Sequence, residues 1–366
     1  MPDAIDRRSF LGRGVRTLAG VAAVGAAPGL LAGWEASANA SPTRRAALAR
    51  TPHLGSLSVV GPWVPDVETC GEYLALERGY WTEQGFSSVT IIPAGPDAPP
   101  QETTVETGKA FYGISSLDAT SAAIEKGFKL VVLGAQYQKS PFCMMSPAHH
   151  PIRTPREMIG KKIGVGSDND ALWYEFLKVN HISKSQLTTV PVGFDPTPLT
   201  QGTVDGWLAF ITNEPIELAL KGFKTYTFLF ANFGLPEIGN IYITKKSSVA
   251  HSRTKVKAAL IGEILGWKAA LTDPAAAAHL AVKKGQGLGY KAELLQAYAQ
   301  NKLIAADDAL KGGLFWASAK TRAASLRTVA LGGTHVKESE VFDMSILEEI
   351  YKEHPSLKRV PKPVTR

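Results

Sequence analysis

Between residues 57 and 244 the chain alternates short runs rich in β-branched residues with longer stretches of helical periodicity. That is the pattern of α/β layers in which each helix links two strands. It predicts strands over Leu57–Val60, Val89–Ile92, Ala110–Ile114, Leu130–Leu133, Lys162–Val165, Thr188–Val192, Val204–Ala209, Lys224–Leu229 and Asn240–Thr244. Helices are predicted over Thr69–Gly79, Pro100–Thr107, Leu117–Lys126, Ala171–Asn180, Pro196–Gln201 and Glu214–Leu220. After Lys246 the strands stop and helical spacing takes over, with Asp273-Pro274 ending one helix and starting the next. Further helices are expected at Lys291–Gln300, Asp307–Gly312, Ala317–Leu331 and Glu338–Glu353. His354–Arg366 is rich in proline and base and is expected to be a loose tail.

Length turns this pattern into two lobes, because 366 residues exceed the ~250–300 that one hydrophobic core usually serves. With 45% hydrophobic and 20% charged residues the chain is neither disordered nor fibrous. The net charge of +7 is mild and its basic residues are dispersed, so nucleic acid is not an expected partner. Cys70 and Cys143 allow one disulfide at most and lack the spacing of a zinc site. His149-His150 has no accompanying carboxylate pattern, and no metal or cofactor is assigned.

The amino terminus adds an address. Arg7-Arg8-Ser9-Phe10-Leu11 precedes a modestly apolar stretch interrupted by glycines and Pro28, then Ala38-Asn39-Ala40. Adjacent arginines, a short apolar middle and a small-x-small exit describe a twin-arginine signal peptide over residues 1–40, cleaved after Ala40. Trp34 stands where a lipoprotein cysteine would, so a soluble, extracytoplasmic protein is expected. Free ATP or NAD is scarce in such a compartment, which weighs against many enzyme classes.

Several phrases, in order, carry a resemblance: Trp63-Val64-Pro65-Asp66, Tyr73 to Gly85, Phe111-Tyr112-Gly113-Ile114-Ser115-Ser116, Ile159 to Val165, Gly202-Thr203-Val204-Asp205-Gly206 and Asn213-Glu214-Pro215. Together they resemble the periplasmic substrate-binding proteins of ABC importers of the nitrate, sulfonate and taurine type, closest to the thiamine-pyrimidine-precursor branch. The resemblance implies a two-lobed type II periplasmic-binding-protein fold, with hinged doubly wound lobes and a helical C-terminal region. Lobe 1 would be residues 55–140 plus 246–353 and lobe 2 residues 141–245. It also implies a ligand in the hinge cleft and permease subunits as partners of a monomer.

Candidate ligand-binding residues follow from chain position. Trp63 sits where the first strand ends, between Pro62 and Pro65, and is either a stacking surface for a planar ring or a core aromatic. Relative to the pyrimidine binders, Asp66 replaces an asparagine and Thr69 a histidine. With Glu68 beside them, an amine-bearing or cationic ligand is one reading and a solvated helix start the other. Ser115 and Ser116 stand where a strand runs into a helix, and Ser167-Asp168-Asn169 repeats that arrangement in the other lobe. Asn213 and Glu214 open a helix behind Trp207 and Phe210, either as a binding wall or as a cap. Tyr137 brackets the lobe crossing, and of Trp173 and Tyr174 one is expected in the core.

The expectation is a binder of a small planar nitrogen-containing compound, pyrimidine-like or otherwise heteroaromatic, that makes and breaks no bond. Two alternatives are an enzyme on the same scaffold, desulfinase-like or pyrimidine-synthase-like with Cys70 as nucleophile, and a sulfonate, nitrate or taurine binder.

Overall fold

A computed structural model describes residues 53–166 and 169–365. Residues 1–52, where the signal peptide is expected, and Ser167, Asp168 and Arg366 lie outside the described residues. The strands are β1 (Gly55–Val60), β2 (Phe86–Ile92), β3 (Tyr112–Ser115), β4 (Leu130–Tyr137), β5 (Phe142–Pro147), β6 (Lys162–Gly166), β7 (Thr188–Val192), β8 (Gly206–Phe210), β9 (Thr225–Leu229) and β10 (Gly239–Lys245). They form two five-stranded sheets, ordered β2-β1-β3-β10-β4 and β7-β6-β8-β5-β9.

The two sheets share one plan. In the first, β1 is parallel to β2 and β3, and β10 runs antiparallel between β3 and β4. In the second, β6 is parallel to β7 and β8, and β5 runs antiparallel between β8 and β9. Each antiparallel strand follows directly on a strand of the other sheet, so β5 and β10 mark the two crossings of the chain. The sheets are therefore mixed.

Two expectations are corrected here. The strand predicted at Asn240–Thr244 is not part of the second lobe: β10 pairs within the first sheet, and the return crossing falls before residue 239. β5 is not among the strands predicted above, because Phe-Cys-Met-Met-Ser-Pro has no β-branched residue. Its alternation serves two cores. Met144 faces the layer of Trp173, Phe176 and Phe230, while Cys143 and Met145 face the layer of Leu199, Trp207 and Leu218.

The helical C-terminal region closes around the first sheet. Edge strand β4 is buried throughout, and its free side is taken up by Ala135 N–H donating to the Phe315 carbonyl (2.9 Å) and Asp343 N–H to that of Val132 (2.9 Å). The 20-residue helix Arg253–Thr272 lies against Cys70–Glu77 at very short range. A Cβ on Gly266 would stand 2.1 Å from the Gly71 carbonyl oxygen, so glycine alone permits this approach. The tail is not loose: Val364 N–H donates to the Leu271 carbonyl (2.8 Å) and its own carbonyl accepts from Asn301 Nδ2 (2.9 Å). Helix-end groups that need partners hold it down.

Inside the first lobe lies a buried polar cluster. Tyr112 Oη donates to Glu263 Oε2 (2.5 Å) and Tyr242 Oη to Oε1 (3.5 Å), with Glu72 adjacent. Burial pushes the Glu263 carboxyl to about 7, and burial with repulsion from Glu263 pushes Glu72 well above its usual range.

Candidate functional site

A cavity of ≈ 640 Å³ opens where β1, β3 and β8 reach their carboxyl ends, the position at which open α/β sheets place ligands. Its volume lies in the ~300–1,000 Å³ range of small-molecule sites. Both halves of the chain line it: Trp63, Asp66 and Glu68 after β1, Ser115 and Ser116 after β3, and Phe210, Asn213 and Glu214 after β8.

The turn that carries Trp63 is held at several points. Pro62 and Pro65 restrict it, the Pro62 carbonyl accepts from Gln101 Nε2 (2.7 Å), and the Trp63 carbonyl accepts from Ala94 N–H (3.1 Å). Asp66 caps the following turn by accepting from Glu68 N–H (2.8 Å), and Glu293 accepts from Val67 N–H (3.0 Å). The indole ring thus stands half-buried on a fixed support, 5.8 Å from the ring of Phe194 at 64°. Phe194 follows β7 and is 61% exposed, so this edge contact bridges the two sheets at the cavity.

The polar groups are unevenly committed. Ser115 Oγ donates to Glu102, which also accepts from Thr120 Oγ1 (2.9 Å). Ser116 occupies the cap position of Leu117–Glu125 without a side-chain cap bond. Asn213 likewise makes no side-chain cap; its Oδ1 accepts from Gln296 Nε2 (3.2 Å), tying the second lobe to Tyr290–Ile304. Asn169 stands at the cap position of Asp170–Val179 and lines the cavity. Glu214 Oε2 accepts from Phe210 N–H (2.9 Å).

Charge is what distinguishes this wall. Asp66, Glu68, Asp118, Glu214, Glu217 and Glu237 line the cavity, and no lysine, arginine or histidine does so among the described residues. Burial raises Asp66 and Glu214 to about 7 against the hydrogen bonds that hold them down. Burial, with repulsion from Asp66 and Glu214, raises Glu68 well above the carboxylate range. The carboxylates repel an anionic ligand, while a neutral donor or a cation meets acceptors in them.

Four of the candidate residues are elsewhere. Trp173 is fully buried in the second lobe and donates from Nε1 to Thr189 Oγ1 (2.9 Å). Trp207 packs on the opposite face of the same sheet, against Gly164. On β8 the side chains alternate, so Trp207 turns away when Phe210 lines the cavity. Tyr137 is buried and donates to Gln300 Oε1 (3.1 Å), and Thr69 is buried behind the Asp66 turn. Cys70 is also off the cavity: it is fully buried, accepts from Gln300 Nε2 (3.4 Å), and burial pushes its thiol well up. A nucleophile needs the opposite, a thiolate within reach of substrate. Cys70 and Cys143 are unpaired.

Sequence reasoning missed Phe194, Asp118, Glu217 and Glu237. Phe194 was signalled by Gly193-Phe194-Asp195-Pro196, an aromatic residue in a turn after a strand, the same sign that marked Trp63. Glu237 was signalled by Leu235-Pro236-Glu237-Ile238, an acid between apolar residues just before the return crossing.

Against this geometry the comparisons with known proteins can be set. The model of the family described as "NMT1/THI5 like" matches residues 67–277, more than half of the chain. The chain belongs to the NMT1/THI5-like family. Among curated members' relatives, the riboflavin-binding protein RibY of Chloroflexus aurantiacus is 21% identical over 197 residues, 53% of this chain and 56% of that protein. The formylaminopyrimidine-binding protein of Halalkalibacterium halodurans is 22% identical over 222 residues, 60% of this chain and 65% of that protein. The chain thus spans less than two thirds of the length of either. Among solved structures, a sulfonate-binding protein SsuA of Methylobacillus flagellatus shares the fold with a TM-score of 0.62 at 12% identity, over 85% of this chain and 98% of that one. The NMT1/THI5-like chain therefore has the two-lobed α/β fold of periplasmic binding proteins. Among its described residues no helix is long and apolar enough to cross a membrane.

Proposed function

We propose that this protein is an extracytoplasmic solute-binding protein that captures a planar, nitrogen-containing heterocycle and delivers it to an ABC permease. The observation that carries this reading is a cavity walled by aromatic rings and carboxylates with no cation among its described lining residues. A flat ring gains from the Trp63 face, about 0.5–1.5 kcal/mol beyond area burial. Ring and exocyclic N–H groups find acceptors in Asp66, Glu68 and Glu214. Riboflavin and formylaminopyrimidine, the compounds named for the two relatives, are both planar heterocycles with N–H donors, and this supports the assignment.

Capture is physical. Residues of both sheets line one cavity, so rotation of one lobe on the two crossings would shut the ligand away from water, and a permease would recognise the shut form. Export by the twin-arginine route, a monomeric state and the lobe boundaries at the two crossings belong to the same proposal. A sulfonate, nitrate or taurine ligand is disfavoured by the lining carboxylates, and catalysis through Cys70 is disfavoured by its burial behind the wall.

The test is thermal-shift screening of the exported protein with aminopyrimidines, riboflavin, alkanesulfonates and nitrate, followed by calorimetry. A specific heterocycle at a hundredfold excess over its Kd adds about 2.7 kcal/mol of stability. The ligand should be recovered unchanged after prolonged incubation. Stabilisation by sulfonates alone, or conversion of the compound over many cycles, would overturn the reading.

A further inference from the structure

The carboxylates of the cavity fall into two groups at different places in the fold. Asp66 and Glu68 share the Trp63 turn, and Glu214 contacts that group electrostatically. Glu237 belongs to the other group, on the segment that leads back into β10, where Ser140 N–H donates to its carbonyl (2.7 Å) and so joins the two crossings. Asp118, on the helix Leu117–Glu125, also lines the cavity and acts on Glu237.

Glu237 is unusual among these acids. It is only 9% exposed, it lines the cavity, and among the described residues nothing donates a hydrogen bond to its carboxylate. The charges that act on it are Asp118 and Glu175, both acidic, while Lys178 acts on Glu175. Nine-tenths burial of a carboxyl without a donor or a counter-ion disfavours its ionised form. Among the described residues none donates to it or pairs with it, and the cavity leaves the space in which a ligand can.

We propose that Glu237, with Asp118, forms a second subsite that receives a protonated amine, so that the preferred ligand is a heterocycle carrying an ammonium-ended arm. This deepens the function proposed above and rests on it. The ring lies at the Trp63 end and meets Asp66, Glu68 and Glu214, while the arm runs to the crossings. An ammonium group supplies three donors and one positive charge, which both unpaired acids lack.

The experiment uses a matched series: 2-aminopyrimidines bearing at C5 an arm of one to four methylenes, ended either by an amine or by a hydroxyl. Calorimetry on the full exported protein at pH 7.5 measures each pair. The expected result is that at one arm length the amine binds at least tenfold more tightly than its hydroxyl twin. In Glu237→Gln and in Asp118→Asn that ratio falls toward one. Thermal melting of both variants verifies that they fold, and Asp118→Asn, at a half-buried helix position, keeps the test open if the other does not. Equal affinity of amine and hydroxyl at every length, with the hydroxyl compounds bound, overturns the subsite and leaves the heterocycle reading standing. A ratio unchanged in the folded variants also overturns it. Failure of every member to bind overturns the heterocycle reading and the subsite with it.

Discussion

The same residue types occur twice in this molecule, once in the cores and once on the cavity wall. Glu72 and Glu263 in the first lobe are fully buried and Glu237 nearly so, and burial raises all three. Glu263 accepts from two tyrosine hydroxyls inside packed protein, whereas Glu237 lines the cavity with no donor among the described residues. Trp173 and Trp207 differ from Trp63 in the same way: the first two fill sheet faces, and the third stands on a clamped turn beside the cavity. A displaced carboxyl or a large aromatic ring is therefore no sign of a site by itself. What separates the two sets is whether the unfilled side is protein or space.

Mutations that treat the two sets alike should sharpen that contrast. Trp173→Ala is expected to cost about 3–5 kcal/mol of stability, since it empties a packed layer against Phe176 and Phe230. Trp63→Ala should cost under about 1 kcal/mol in the same denaturant titration. A similar loss for both would mean that Trp63 is core after all. Next in size, Glu263→Ala should cost about 2–3 kcal/mol by stranding the Tyr112 and Tyr242 hydroxyls. Glu214→Ala, which strands one backbone N–H, should cost about 1 kcal/mol.

The pH dependence of the free protein comes next. Asp66, Glu214 and Glu263 stand at about 7 when folded and near ~4 when unfolded. Between those values the folded state holds more protons, so stability is full below pH ~4, falls as pH rises and levels off above ~7. Tm should be lower at pH 8 than at pH 5 by about 3–6 °C, and Glu214→Gln should reduce that difference. A Tm that climbs over this interval would show these acids ionised and compensated in the fold. A separate effect is on binding: Trp63→Ala should weaken a bound heterocycle about 10-fold by calorimetry, and Phe194→Ala less, because its ring is mostly in solvent.

Much of the architecture could be read from periodicity. The β-branched runs located nine of the ten strands, and the helical spacing after Lys246 located the region that closes the first sheet. The tenth, β5, was obscured because Cys and Met carry little strand preference and their burial on both faces comes from the sheet they enter. At the site, residues announced by a local device were legible: Trp63 by its flanking prolines, and Ser116, Asn169 and Asn213 by strand-to-helix positions, all of which line the cavity. Trp207 misled because its neighbours in sequence point the other way on a strand.

The sequence by itself determined element types, their order and the residues that stand at strand ends, since these depend on periods of 2 and 3.6 and on nearby turn chemistry. Only the tertiary structure decided which sheet β10 joins, that Thr69, Tyr137 and Cys70 lie behind the wall, and that Asp118 and Glu237 share a cavity with Trp63. Those outcomes depend on contacts between residues more than a hundred positions apart, where no local pattern records which side of a chain will face space and which will face protein.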